Sequence, residues 1–124
     1  MDAEATRDFA LRLMREVWIP FADDQVPRFY NRDVVGHHRE QLLTYDDVIA
    51  RLSSDHGRFS GSNYHIEDII AAPDKFAIRF RFTATVNATG QPISTEVIYF
   101  YHLARSRIAE FWLLADFPFD YRAA

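Results

Sequence analysis

Apolar residues recur at helical spacing in the first stretch of the chain. Phe9, Leu13 and Val17 stand four apart, and Met14 and Trp18 widen the stripe. This predicts an amphipathic helix from about Ala3 to Trp18. Asp2 is placed to cap it, Glu4 suits the positive end of its dipole, and Pro20 closes it. Thr44 is set to begin a second helix, its hydroxyl capping the amide near Asp47. Val48, Ile49 and Leu52 form the buried stripe, and Gly57 is the expected stop.

From residue 62 the period changes from helical to alternating. Tyr64 to Ala71 reads as a strand, and Pro73-Asp74 as a tight turn. Phe76, Ile78, Phe80 and Phe82 alternate with Ala77, Arg79, Arg81 and Thr83, the pattern of a half-buried strand. Asn87 to Pro92 reads as a hairpin loop. Thr95–Ala104 and Ile108–Phe117 follow as two strands around Arg105-Ser106. The predicted class is α+β, helices first and then an antiparallel meander. No repeat or linker-like stretch interrupts the chain, so one domain is expected over residues 1–124.

The last two strands are apolar on both faces. Trp112 and Leu114 point one way, and Phe111, Leu113, Ala115 and Phe117 the other. Ile98 and Phe100 likewise oppose Val97, Tyr99, Tyr101 and Leu103. Helices can cover one face. A second subunit is the economical cover for the other, so a homodimer packed sheet to sheet is expected.

Composition narrows the chemistry. The absence of cysteine excludes a disulfide scaffold, a thiolate zinc site, an iron–sulfur cluster and a cysteine nucleophile. A net charge of −4 argues against a nucleic-acid partner. Charges interrupt the apolar runs too often for a membrane span. The opening MDAEATRDF has no apolar signal region, so a cytoplasmic protein is expected. The five histidines form no His-Glu-x-x-His motif and no i, i+4 pair, and no metal or cofactor is expected. Nucleophile-elbow, phosphate-loop and dinucleotide glycine motifs are missing.

The informative residues are polar ones embedded in apolar strands. Glu110, Trp112, Leu114 and Asp116 line up at period two, and Glu96 and His102 share a face with Ile98 and Phe100. The stretch FYNRDVVGHHRE adds Tyr30, Asp33, His37 and His38. In an extended chain His37 and His38 point to opposite sides, so one at most enters a shared pocket. His38 with Asp116 is the candidate catalytic pair, the carboxylate fixing the tautomer while the imidazole moves a proton. Tyr30, Trp112, His102 and His37 are candidate substrate contacts. Arg79 and Arg81 read as a solvated strand face or dimer-rim ion pairs.

These features together resemble the SnoaL-like, nuclear-transport-factor-2-like superfamily. The resemblance rests on a capped first helix, the Tyr-x-x-Asp-Val-Val segment (Tyr30 to Val35), the second helix and the ending RIAEFWLLADF. Within that ending, Ile108, Glu110, Trp112 and Asp116 look like the family's Ile-x-Glu-x-Trp-x-x-x-Asp signature. The resemblance implies a cone: N-terminal helices wrapped by a strongly curved antiparallel sheet, with an apolar pocket at one end and dimers formed through the sheet. It also implies acid–base chemistry at Asp116, as in the polyketide cyclases. The related ketosteroid isomerases carry a carboxylate base where this chain has His37 or His38, so the isomerase pattern is not followed. The implied activity is proton transfer, an isomerisation or aldol-type cyclisation, on a small apolar carbonyl metabolite held in the cone. The alternative is a non-catalytic ligand-binding or dimeric assembly module. The state of the cone separates the two: large side chains such as Trp112, Phe80 and Phe100 filling it would favour assembly.

Overall fold

The computed structural model describes residues 1–116 and 121–122. The first helix, α1 (Ala3–Leu13), starts where expected, with the Ala5 N–H donating to Asp2 Oδ1 at 2.8 Å. Its stripe continues through a π-helical turn, Met14–Trp18, which keeps Val17 and Trp18 facing inward. After Pro20 the chain turns out at Phe21, whose φ is 52°. A single turn, α2 (Val26–Phe29), leads into β1 (Tyr30–His38) and the short β2 (Gln41–Leu43).

The second long helix, α3 (Tyr45–Arg58), carries a full capping box. The Asp47 N–H donates to Thr44 Oγ1 at 3.2 Å, and the Thr44 N–H donates to Asp47 Oδ2 at 2.8 Å. Gly57 does not stop this helix, contrary to expectation. The helix runs on to Arg58, and Phe59, at φ −121°, passes straight into extended structure with no left-handed turn for a glycine to serve.

Four long strands follow: β3 (Phe59–Ala72), β4 (Lys75–Val86), β5 (Pro92–Ala104) and β6 (Arg107–Ala115). The first begins five residues earlier than the alternation suggests. An irregularity between Ser60 and Asn63, with Gly61 at φ 60°, breaks the period there and hides the strand in the sequence. Pro73-Asp74 and Arg105-Ser106 form the tight turns expected of them. Phe117, expected at the end of the last strand, lies outside the described residues.

The strands form one sheet in the order β2-β1-β6-β5-β4-β3. All neighbours are antiparallel except β1 and β6, which run parallel. The antiparallel meander of the sequence reading is therefore a mixed sheet. The segment before α3 is itself a strand, and it closes the sheet by pairing with the last one. The curved sheet wraps α1 and α3 as a cone, and Phe76, Ile78, Phe80, Tyr99, Tyr101 and Phe111 are buried on its inner face. Each such side chain contributes about 1.5–3 kcal/mol by leaving water. Packing is tight at Gly36, where an added Cβ would collide with the Phe111 ring. Among the described residues no helix is long and apolar enough to cross a membrane.

Candidate functional site

The interior of the cone is filled by the protein's own aromatic side chains. A cavity of about 20 Å³ remains beside Arg51 and Asp55, walled by Trp18, Tyr64, Phe80 and Tyr99. That is room for about one water molecule. Arg51 and Asp55 sit one turn apart on α3, and Arg51 Nε donates to Asp55 Oδ2 at 2.9 Å. Arg58 Nη1 approaches the other carboxylate oxygen at 3.7 Å. Burial pushes the Asp55 carboxyl above its usual range, more than the two guanidiniums pull it down. Burial works against the charge on Arg51, but Asp55, together with Tyr99 and Tyr121, outweighs it and keeps Arg51 protonated.

Around this pair the interior is rich in phenols. Trp18 Nε1 donates to Tyr30 Oη at 3.2 Å, and burial pushes the Tyr30 phenol up to about 12. Burial also raises Tyr64 and Tyr99, so all three remain proton donors at neutral pH. His38 is 2% exposed on the inner face, its ring 6.1 Å from that of Tyr121.

The outer face presents a different arrangement. Ile70, Ala77, Phe100, Trp112, His37 and Leu42 are successive partners across all six strands. On one side of this row run Lys75, His102, Glu110 and Val35, and on the other Asp68, Arg79, Ile98 and Leu114. Leu114 is 71% exposed. Ile98, Phe100, His102, Trp112 and Leu114 outline an open apolar hollow of about 330 Å³. His37 Nε2 lies 2.7 Å from Glu110 Oε2, and its ring stacks on Trp112 with centroids 5.0 Å apart and planes 8° apart. His102 meets the same indole edge-on at 4.9 Å. Arg79 Nη1 bridges Glu67 at 2.7 Å and Glu96 at 3.0 Å, both within the chain.

The structure divides the predicted site residues between the two faces. His38 and Asp116 do not share a pocket. His38 faces inward from β1, whereas Asp116 is exposed just beyond β6. The Asp116 N–H donates to the Glu96 carbonyl at 3.3 Å, which continues the strand ladder and sets Asp116 on the outer face. Parity explains the split: Phe111 and Leu113 turn inward, so Trp112, Leu114 and Asp116 turn outward. The predicted substrate contacts divide likewise, with Tyr30 inside and Trp112, His102 and His37 outside. Of the three residues named as possible cone fillers, only Phe80 fills it; Trp112 and Phe100 line the outer hollow.

The sequence reading missed Arg51 and Asp55. A signal was present: Tyr45, Val48, Leu52 and Asp55 are spaced by three, four and three residues, so the acid falls on the buried stripe of α3. Among the described residues no cluster of three His, Asp or Glu side chains could hold a metal ion.

A helix-filled cone of this topology defines the class of protein. The pattern of the SnoaL-like polyketide cyclase family matches residues 8–118, and the chain belongs to that family. Similar solved structures agree on the fold. AclR of Streptomyces galilaeus, provisionally called a hydroxylase, has a TM-score of 0.82 at 16% identity, over 92% of this chain and 76% of that one. A protein of Jannaschia sp. CCS1, provisionally called a SnoaL-like polyketide cyclase, has a TM-score of 0.81 at 17% identity, over 92% and 87%. IdmH of Streptomyces antibioticus, provisionally called a polyketide cyclase, has a TM-score of 0.73 at 17% identity, over 90% and 91%. No curated protein matches the chain.

Proposed function

We propose that the chain works as a self-associating module, using the outer sheet face to bind a second copy of itself. The observation that carries this reading is the contrast in space: about 20 Å³ inside the cone against an apolar hollow of about 330 Å³ outside it. The area suffices. Five strand spacings of about 4.8 Å by three row spacings of about 7 Å span on the order of 500 Å² between outermost backbone positions, and the side chains at the rim extend this toward the roughly 800 Å² each partner gives a stable interface.

The face is also self-complementary about a two-fold axis running parallel to the strands, between β5 and β6. That axis sets Phe100 over Trp112 of the partner subunit and Ile98 over Leu114 of the partner subunit. It sets Ile70 over Leu42 of the partner subunit and His102 over Glu110 of the partner subunit. Glu96 meets Asp116 of the partner subunit, with Arg79 and Arg81 beside Glu96 to offset the like charges. Light scattering should give twice the chain mass of 14.5 kDa, and Trp112→Glu should give a folded monomer. A wild-type monomer at micromolar concentration overturns the reading.

A second reading is favoured by Asp55. A carboxyl raised by burial, beside a guanidinium and phenol donors, is equipped for proton transfer at a carbon next to a carbonyl. A small apolar carbonyl compound would reach it only by opening the cone, and His38 borders the same interior. This reading expects deuterium uptake at the α-carbon of an aryl ketone in heavy water, falling by about 10²–10⁴-fold in Asp55→Asn. No uptake by the wild type across a panel of aryl ketones counts against it.

A further inference from the structure

Tyr121 is the interior residue whose placement packing alone explains least. It is 2% exposed, and its ring lies over the Arg51 guanidinium, 5.1 Å from Cζ to centroid. Its backbone carbonyl accepts from Arg51 Nη1 at 3.1 Å. Its hydroxyl is buried, and no described group hydrogen-bonds to it. Burying an unbonded hydroxyl is unfavourable, and phenylalanine would fill the same volume without that penalty. The next residue ties the segment down from outside. Arg122 is exposed and donates to Asp47 Oδ2 at 3.1 Å and to the Leu42 carbonyl. Such surface contacts hold weakly. An aromatic ring with an oxygen acceptor thus sits on a buried cation, retained by bonds at the surface. A bound ligand would make the same contacts.

We propose that Tyr121 is the resident occupant of an interior binding site for a planar aromatic ligand bearing a carboxylate or carbonyl oxygen, and that such a ligand binds by displacing it. Arg51 is the anchor. Its planar fork takes the ligand oxygen in place of the Tyr121 carbonyl, and its face takes the ligand ring in place of the phenol. The vacated space joins the cavity beside Trp18 and Tyr99, and the displaced hydroxyl regains water. The filled cone is then a self-occupied state of a ligand site. This inference is independent of self-association. It shares the interior with the proton-transfer reading but needs no turnover: binding without deuterium uptake would leave it standing and remove that reading.

Calorimetric titration of the full chain with 2-naphthoate tests it. A site occupied by its own residue nine-tenths of the time has an apparent Kd about tenfold weaker than the open site. Tyr121→Ala should therefore bind 2-naphthoate about tenfold or more tighter than the wild type. Arg122→Ala, which loosens the tether and keeps the ring, should fall between them. Both variants should prefer 2-naphthoate to 2-naphthylmethanol, which lacks the charge. The inference is overturned if the folded variants bind no tighter than the wild type, or if they bind 2-naphthylmethanol as tightly as 2-naphthoate. Should Tyr121→Ala fail to fold, Arg122→Ala decides alone.

Discussion

Both faces of the sheet are aromatic and aliphatic, yet they play opposite parts. On β5, Tyr99 and Tyr101 turn inward and are buried, while their neighbours Ile98 and Phe100 stay 38% and 47% exposed. The difference lies in what covers them, since α1 and α3 pack on one face and no described helix packs on the other. An apolar face becomes core only when something is available to exclude water from it. The inner face therefore carries the stability of the subunit, and the outer face is available for association.

Substitutions can break or sharpen that contrast. Phe80→Ala, inside, should cost about 3–5 kcal/mol in denaturant unfolding, whereas Phe100→Ala, outside, should cost less than about 1 kcal/mol at concentrations too low for association. Equal costs would mean that the two faces are not distinct. The polar interior gives the next largest effect. Asp55→Ala strands a buried guanidinium and should cost about 3 kcal/mol, while the double change Arg51→Met with Asp55→Leu should be close to neutral. A double variant as unstable as the single one would mean that the pair contributes more than its charges.

A more modest loss is expected at the helix end facing neither surface. Thr44→Ala should cost about 1 kcal/mol at neutral pH through loss of the cap. Burial opposes the charge on Asp47, but the Thr44 amide and hydroxyl and the Arg122 guanidinium prevail and hold its carboxyl below the usual range. The stabilisation linked to that charge is present above the ordinary carboxylate pKa and is lost as pH falls through the lowered one. The Thr44→Ala penalty should therefore shrink in acid, as melting curves at neutral and acid pH would show.

Much of the fold was legible because its signals are local. The Asp2 and Thr44 caps, the alternation from Phe76 to Phe82 and the turn at Arg105-Ser106 need only nearby residues, and all appear as expected. The parallel junction was not legible, because nothing around Tyr30 or Val35 names a partner more than seventy residues away. The site failed for a related reason. Periodicity correctly grouped Glu110, Trp112, Leu114 and Asp116, but a strand's two faces are equivalent until the helices choose one. Arg51 and Asp55 were hidden because charged residues on a helix are usually solvated, and only their position on the apolar stripe marks them.

The parallel junction has a consequence for how the chain folds. β1 is made early, but its neighbour across that junction is β6, the last strand of the sheet. During synthesis the first third of the molecule therefore waits, with one edge of β1 unpaired, until residues 107–115 emerge. Contacts between such distant segments are slow to form, because a long loop must be closed before any bond rewards it. The β3–β4–β5–β6 meander, whose pairings are local, is the scaffold onto which the earlier segment docks. Closing the cone is then the late step of folding, and the filled aromatic interior is completed only once it occurs.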